Sequence, residues 1–219
     1  MDYRPAGRLV PIFSASENLN EKDLTLSLAR AASARGETVL MIDAQNGALM
    51  EHAGIIYYQT FSDVLAGRAE LGDTLYVTSN EHFSALCLGE DNWCQSLGSL
   101  GALSLQYDWV LAAPPAGCTP AHVNLATASD MALMLFDCDK ADFMRAFWML
   151  ESIRFRDPNF DPILIADGPL SQASETGELL CNVIRSFLGA PPDYLGHCGH
   201  PGIANWVLQA IRYQTLKVA

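Results

Sequence analysis

Lys22 and Asp43 are the charged residues of the stretch Leu9 to Asp43 that phosphate or metal-ion chemistry would use. Lys22 lies in a polar stretch after a short apolar run, Leu9 to Phe13; Asp43 closes a second apolar run, Val39 to Ile42. A loop after a strand is where phosphates bind in α/β units, on backbone N–H groups at the next helix's start. The stretch Ser14 to Asp23, however, contains no glycine. Ser14 or Ser16 as a nucleophile would need a nearby general base, and there is no G-x-S-x-G elbow. His197, Cys198 and His200 carry metal donors but no fourth ligand at a usual spacing, so a loop at a sheet edge is expected there. Asp137, Asp139, Lys140 and Asp142 form an acidic run after a strand; an N-cap and a solvated first helical turn are expected. Tyr57, Tyr58, Trp93, Trp109, Phe147 and Trp148 suit a core or a partner better than a ligand stack. Trp148 lies off the apolar face of its helix, which makes it a candidate interface residue.

The elements that position these residues follow from periodicity. Leu24, Leu28, Ala31 and Ala32 share one helical face, and Gly36 stops that helix. Strand, loop, helix and strand from Leu9 to Asp43 make a βαβ unit with parallel strands. Further strands are expected at Ser84–Leu88, Asp108–Ala113, Met131–Phe136 and Ile163–Ala166, with an edge strand at Asp193–Gly196. Helices are expected around 61–75 in one or two short pieces, at 94–105, 120–128, 141–155 and 174–188, and finally at 203–216. Residues 44–60 give no clear pattern. This alternation predicts a single α/β domain spanning 1–219, a doubly wound, mostly parallel sheet with helices on both faces. Pro11 lies inside the first strand and donates no ladder bond, so imperfect pairing or a bulge is expected there.

Composition excludes several functions. Half of the 219 residues are apolar, 17% are charged and the net charge is −12. No Lys/Arg cluster offers a nucleic-acid surface or a polybasic membrane patch. The six cysteines form no C-x-x-C pair and read as free thiols in a reducing cytosol. There is no apolar secretory leader and no stretch long enough to span a membrane, so a cytoplasmic location is expected. The C-terminal segment has only Arg212 and Lys217 as basic residues and suits packing on the sheet better than lying on a membrane.

The chain resembles the MinD/ParA class of deviant Walker ATPases, and within it the MinD/FlhG type. The family opens with a strand, SGKGGVGKTT, a helix and VLLIDAD; here SASENLNEKD (Ser14 to Asp23) and VLMIDAQ (Val39 to Gln45) stand at those places. TFSDVLAGRAEL (Thr60 to Leu71), YDWVLAAPPAG (Tyr107 to Gly117), ATASDMALMLF (Ala126 to Phe136) and FLGAPPDYLGHCGHPGI (Phe187 to Ile203) are similar to later family motifs, so the resemblance covers nearly the whole chain. The residues that carry the family's chemistry differ. Ala15, Glu17, Asn18 and Asn20 replace loop glycines. Ser16 stands for the lysine that in the family crosses a dimer, Glu21 for the lysine that holds the β- and γ-phosphates, and Lys22 for the magnesium-binding threonine. Gln45 stands for the aspartate that positions water, and Ala113 for the Walker B aspartate. The acidic residue near the base falls close to His200 or Pro201, and Asp43 alone is kept.

A phosphate-cradling loop needs converging backbone N–H groups, which glycine permits and Ala or Glu resist. A unit charge pair at ~4 Å is worth about 4 kcal/mol at an effective dielectric of 20, so exchanging Lys for Glu weakens phosphate binding by at least roughly a thousandfold. Lys22 would compensate only in a shifted register, since one helical residue turns the side chain by about 100°. Without a carboxylate at Ala113 the magnesium loses its second-shell hold. The resemblance therefore implies a pseudo-ATPase without cofactor or metal: a non-catalytic scaffold or regulator in a bacterial positioning or assembly system. It implies protein partners, as a homodimer or as a heterodimer with an intact relative, and membrane recruitment only through a partner. The alternative is a remodelled P-loop-like ATPase or kinase that binds nucleotide through Lys22 and Asp43. A third reading, a membrane-associated adaptor, would use residues 203–219.

Overall fold

A computed structural model describes residues 7–78, 82–89, 93, 96 and 104–218. The expected helix at 94–105 falls largely outside them. Eight strands form one sheet in the order β3-β4-β2-β5-β1-β6-β7-β8. They are β1 (Arg8–Ser14), β2 (Val39–Asp43), β3 (Tyr76–Val77), β4 (Ser84–Cys87), β5 (Trp109–Ala113), β6 (Leu133–Phe136), β7 (Ile163–Ala166) and β8 (Tyr194–His197). All neighbours pair in parallel except β3, which adds an antiparallel edge to β4. The described helices are α1 (Glu21–Ser33), α2 (Ala48–His52), α3 (Phe61–Leu65), α4 (Pro120–Thr127), α5 (Lys140–Arg156), α6 (Leu170–Phe187) and α7 (Ile203–Val218).

Burial explains why the strands read as continuous apolar runs. Every residue of β2, β5, β6 and β7 is buried, as parallel strands covered on both faces must be. The period of two then divides each strand between the two layers. In β2, Val39 and Met41 join the core that contains Leu24 and Leu28 of α1, while Leu40 and Ile42 pack with Phe61 and Val64 of α3 on the other face. Apolar helix α7 packs against α1, and α6 lies along β7 and β8.

Pro11 sits where β1 changes neighbours. Arg8 to Pro11 pair with β5, and Ile12 to Ser14 pair with β6. The strand needs no bulge to accommodate the missing donor. The stretch 44–60, without pattern in the sequence, contains α2, whose N-cap Gly47 has φ +91°. A Cβ there would lie 2.0 Å from the Tyr57 hydroxyl, so the backbone conformation and the close approach both require glycine.

Candidate functional site

The loop after β1 runs over the carboxyl ends of β1 and β6 and enters α1. Ala15 N–H donates to Leu135 O, and Gly117 N–H donates to Ser14 O. The Ser14 hydroxyl turns back onto Ser16 O. Leu19 is buried, fixing the loop as an apolar anchor rather than a set of converging donors. The helix start is claimed by the chain itself. Asn20 N–H donates to Asp167 Oδ2 (2.6 Å), and Asn20 Nδ2 donates to Asp167 Oδ1 (2.9 Å) and Oδ2 (3.0 Å). Asp167 also accepts from Gly168 N–H at 2.9 Å and from the Cys198 thiol at 3.0 Å. Burial pushes the Asp167 carboxyl up, but the donors from Cys198, Asn20 and Gly168 outweigh it and hold its pKa below the usual carboxylate value. The Cys198 thiol, half-buried beside that carboxylate, is pushed up to about 12 and stays protonated.

Three of the residues singled out in the sequence come together at the start of α1. Glu21, with a side chain 4% exposed, points its Oε1 at Lys22 Nζ (2.9 Å). Gln45 Nε2 donates to the same Oε1 at 3.3 Å and to Pro114 O at 3.1 Å, and Lys22 Nζ lies 3.5 Å from Gln45 Oε1. Lys22 is thus turned onto its own neighbour. Asp43 is fully buried and serves its own loop: Oδ1 accepts from Gln45 N–H (2.7 Å) and Oδ2 from Met50 N–H (2.9 Å). Burial raises its pKa against the lowering effect of those backbone donors. Ala113 presents a buried methyl beside Asp43, its partner in the β2–β5 ladder.

Ser16 goes elsewhere. Its hydroxyl donates to Asp142 Oδ2 at 2.6 Å, and Arg145 pairs with the other oxygen of Asp142. Here the expectation of a solvated first turn needs correction in part. Asp139 is the N-cap of α5, accepting from Ala141 N–H and Asp142 N–H, but Asp142 is buried beneath the loop. The sequence reading also missed Asp167 and its tie to Asn20. The signal was available: ILIAD (Ile163 to Asp167) repeats the pattern of VLMID (Val39 to Asp43), an apolar strand ending in a buried aspartate.

Two cavities flank the loop. One, of about 570 Å³, lies between residues 15–18 and α5, with Arg145 and Trp148 at its wall. The other, of about 520 Å³, is lined by Glu17, Glu21, Lys22, Gln45 and Trp93 among others. Donors of Asp167, His197 and Cys198 lie within 4.8 Å of one another, but internal bonds already use them. His197 Nε2 meets Gly168 O at 2.7 Å, and His197 Nδ1 accepts from Gly199 N–H at 2.9 Å. Each of the five described cysteines is a free thiol. No described helix is long and apolar enough to cross a membrane.

No protein-family model matches the sequence, and no curated protein does. Solved structures match over nearly the whole chain. MinD in the MinC:MinD cell division complex of Aquifex aeolicus superposes with a TM-score of 0.67 at 19% identity, covering 93% of this chain and 89% of that one. Cell division ATPase MinD of Pyrococcus furiosus gives 0.65 at 18%, covering 93% and 99%. Cobyrinic acid a,c-diamide synthase of Mycobacterium smegmatis, with bound ADP and magnesium, gives 0.67 at 16%, covering 94% and 96%. The fold of this chain is that of the MinD/ParA-type P-loop ATPases.

Proposed function

We propose that this chain is a pseudo-ATPase: a MinD/ParA-like scaffold or regulator that works through protein contacts and carries no nucleotide chemistry. One observation supports this most. Where the resemblance puts the phosphate-holding lysine, the chain has the buried Glu21 carboxylate, bonded by Lys22 and Gln45. The N–H groups of a helix start favour an anion, and here Asp167 supplies that anion from within the fold. The methyl of Ala113 offers nothing to a magnesium ion. The alternative, nucleotide held through Lys22 and Asp43, requires both side chains to leave the partners described above.

The surfaces suited to partners lie on α5 and α6. Trp148 is 54% exposed and Phe155 is 93% exposed on α5, and Leu170, Leu179 and Phe187 are exposed on α6. A MinD fold that binds another protein is known in the MinC:MinD complex; for this chain, a second copy or an intact relative is the partner proposed. The test is phosphate release from Mg-ATP together with thermal melting in the presence of Mg-ATP and Mg-ADP. No turnover and no melting shift at millimolar nucleotide are expected. Turnover, or a shift that saturates at micromolar nucleotide, would overturn the proposal.

A further inference from the structure

The cavity of about 520 Å³ at the start of α1 has the opposite polarity to a phosphate site. Among the described residues, its wall includes the carboxylates of Glu17 and Glu21 and one cation, Lys22. Two carboxylates against one ammonium leave one negative charge uncompensated. Glu21 is the informative residue. Its side chain is 4% exposed, yet only Oε1 has partners; Oε2 has none among the described residues. A buried carboxylate oxygen without a donor costs free energy until a donor reaches it. The Asn20 N–H at the helix start is not available to it, being bound to Asp167.

The other lining groups indicate the kind of donor. Trp93 gives the cavity an aromatic wall, and its ring stands edge-on to His122, with centroids 5.1 Å apart. An indole face attracts organic cations. His122 is buried, its pKa pushed down by that burial, and bonded to Pro115 O, so it adds no competing charge near neutral pH. Gln45, already on the wall through its amide, adds a polar group beside Glu21. A divalent metal ion fits less well. It would need about six oxygen ligands, and the carboxylates on the described wall are those of Glu17 and Glu21. A single-charged organic cation with N–H donors meets both needs, donating to Glu21 and lying against Trp93.

We propose that this cavity binds a guanidinium or primary alkylammonium group, with Glu21 as its charge partner and Trp93 as its aromatic wall. The inference rests on the nucleotide-free reading of the same site, since a site built for a cation repels a triphosphate. The group could belong to a free small molecule or to an arginine or lysine side chain of a partner protein; the chemistry is shared.

The experiment is calorimetric titration of the full chain with agmatine, which carries both groups, and with an acetylated, amidated Gly-Arg-Gly peptide. Tetramethylammonium, magnesium chloride and Mg-ATP serve as parallel titrants. Saturable agmatine binding at about millimolar or tighter is expected for a ligand of that size. Glu21→Gln should weaken it about tenfold or more, as loss of a charge-assisted bond requires. Glu17→Gln, at an exposed loop position, should weaken it severalfold, and Trp93→Leu about two- to fivefold; these two variants carry the test if Glu21→Gln does not fold. Tighter binding of the peptide than of agmatine assigns the cation to a partner's side chain, and the reverse assigns it to a small molecule. No saturation with either ligand, affinity unchanged in all three variants, equal binding of tetramethylammonium, or magnesium binding that depends on Glu21 would each overturn the proposal. If the cations fail and Mg-ATP also fails, only this inference falls. If Mg-ATP binds at this site, the nucleotide-free reading falls with it.

Discussion

Replacing Asp167 by alanine removes the link between the carboxyl end of β7 and the start of α1. The carboxylate accepts from Asn20 N–H, Asn20 Nδ2, Gly168 N–H and the Cys198 thiol, at 2.6 to 3.0 Å, and is almost fully buried. Hydrogen bonds to a charged group contribute about 1.5–3 kcal/mol, and each buried donor left without a partner costs about 1–3 kcal/mol. Water reaches the exposed Asn20 and recovers part of this, so a net loss of about 2–4 kcal/mol is expected. For a chain of this size that lowers Tm by roughly 4–16 °C, at about 2–4 °C per kcal/mol. The pH dependence gives a second signature. The donors hold the folded-state pKa of Asp167 below its unfolded value of 3.8. Its contribution is therefore fully present above that value and is lost as pH falls through the lower, folded-state pKa. Urea unfolding at pH 7 and at descending pH, for wild type and Asp167→Ala, measures both effects. A loss below about 0.5 kcal/mol at pH 7, within the range of ordinary surface substitutions, would refute the reasoning.

Other predictions follow from single environments. Cys198 and Cys87, pushed up to about 12 and about 11, should resist iodoacetamide at pH 8, whereas exposed Cys118 should label first of the five described cysteines; peptide mapping reads the order. His122, its folded pKa lowered by burial, should make the protein less stable as pH drops below the unfolded value of 6.5. His122→Phe should flatten that part of the urea-stability profile. Phe155→Ser should change unfolding free energy by less than about 0.5 kcal/mol, because that side chain is 93% exposed, while Leu180→Ala in the core of α6 should cost about 2–5 kcal/mol.

Most of the sheet is legible in the sequence because its strands are fully buried. VLMID, WVLAA, LMLF and ILIA are short apolar runs between helical patterns, and each forms the strand its composition suggests. The edge strand β3 is not legible: two residues pair antiparallel to β4, and Val77 points to solvent, so neither length nor pattern marks it. At the site, the sequence singled out Glu21, Lys22 and Gln45, and the fold brings them together. It could not show that Lys22 bonds Glu21, because a helix-start side chain chooses among partners only in three dimensions. Asp142 read as solvated because its neighbours in sequence are charged, but the loop from β1 covers it and Ser16 bonds it across 126 positions. The Asn20–Asp167 bond spans 147 positions and depends on strand order, which periodicity does not encode.

In the pseudo-ATPase proposed above, the start of α1 is closed to phosphate by the chain's own carboxylates. Calorimetric titration of Mg-ATP and Mg-ADP into the wild-type chain and into Lys22→Ala tests it most directly. No binding heat is expected up to millimolar nucleotide in either protein. Micromolar binding by the wild type that disappears in Lys22→Ala would contradict it, and would mean that Lys22 leaves Glu21 to hold a phosphate.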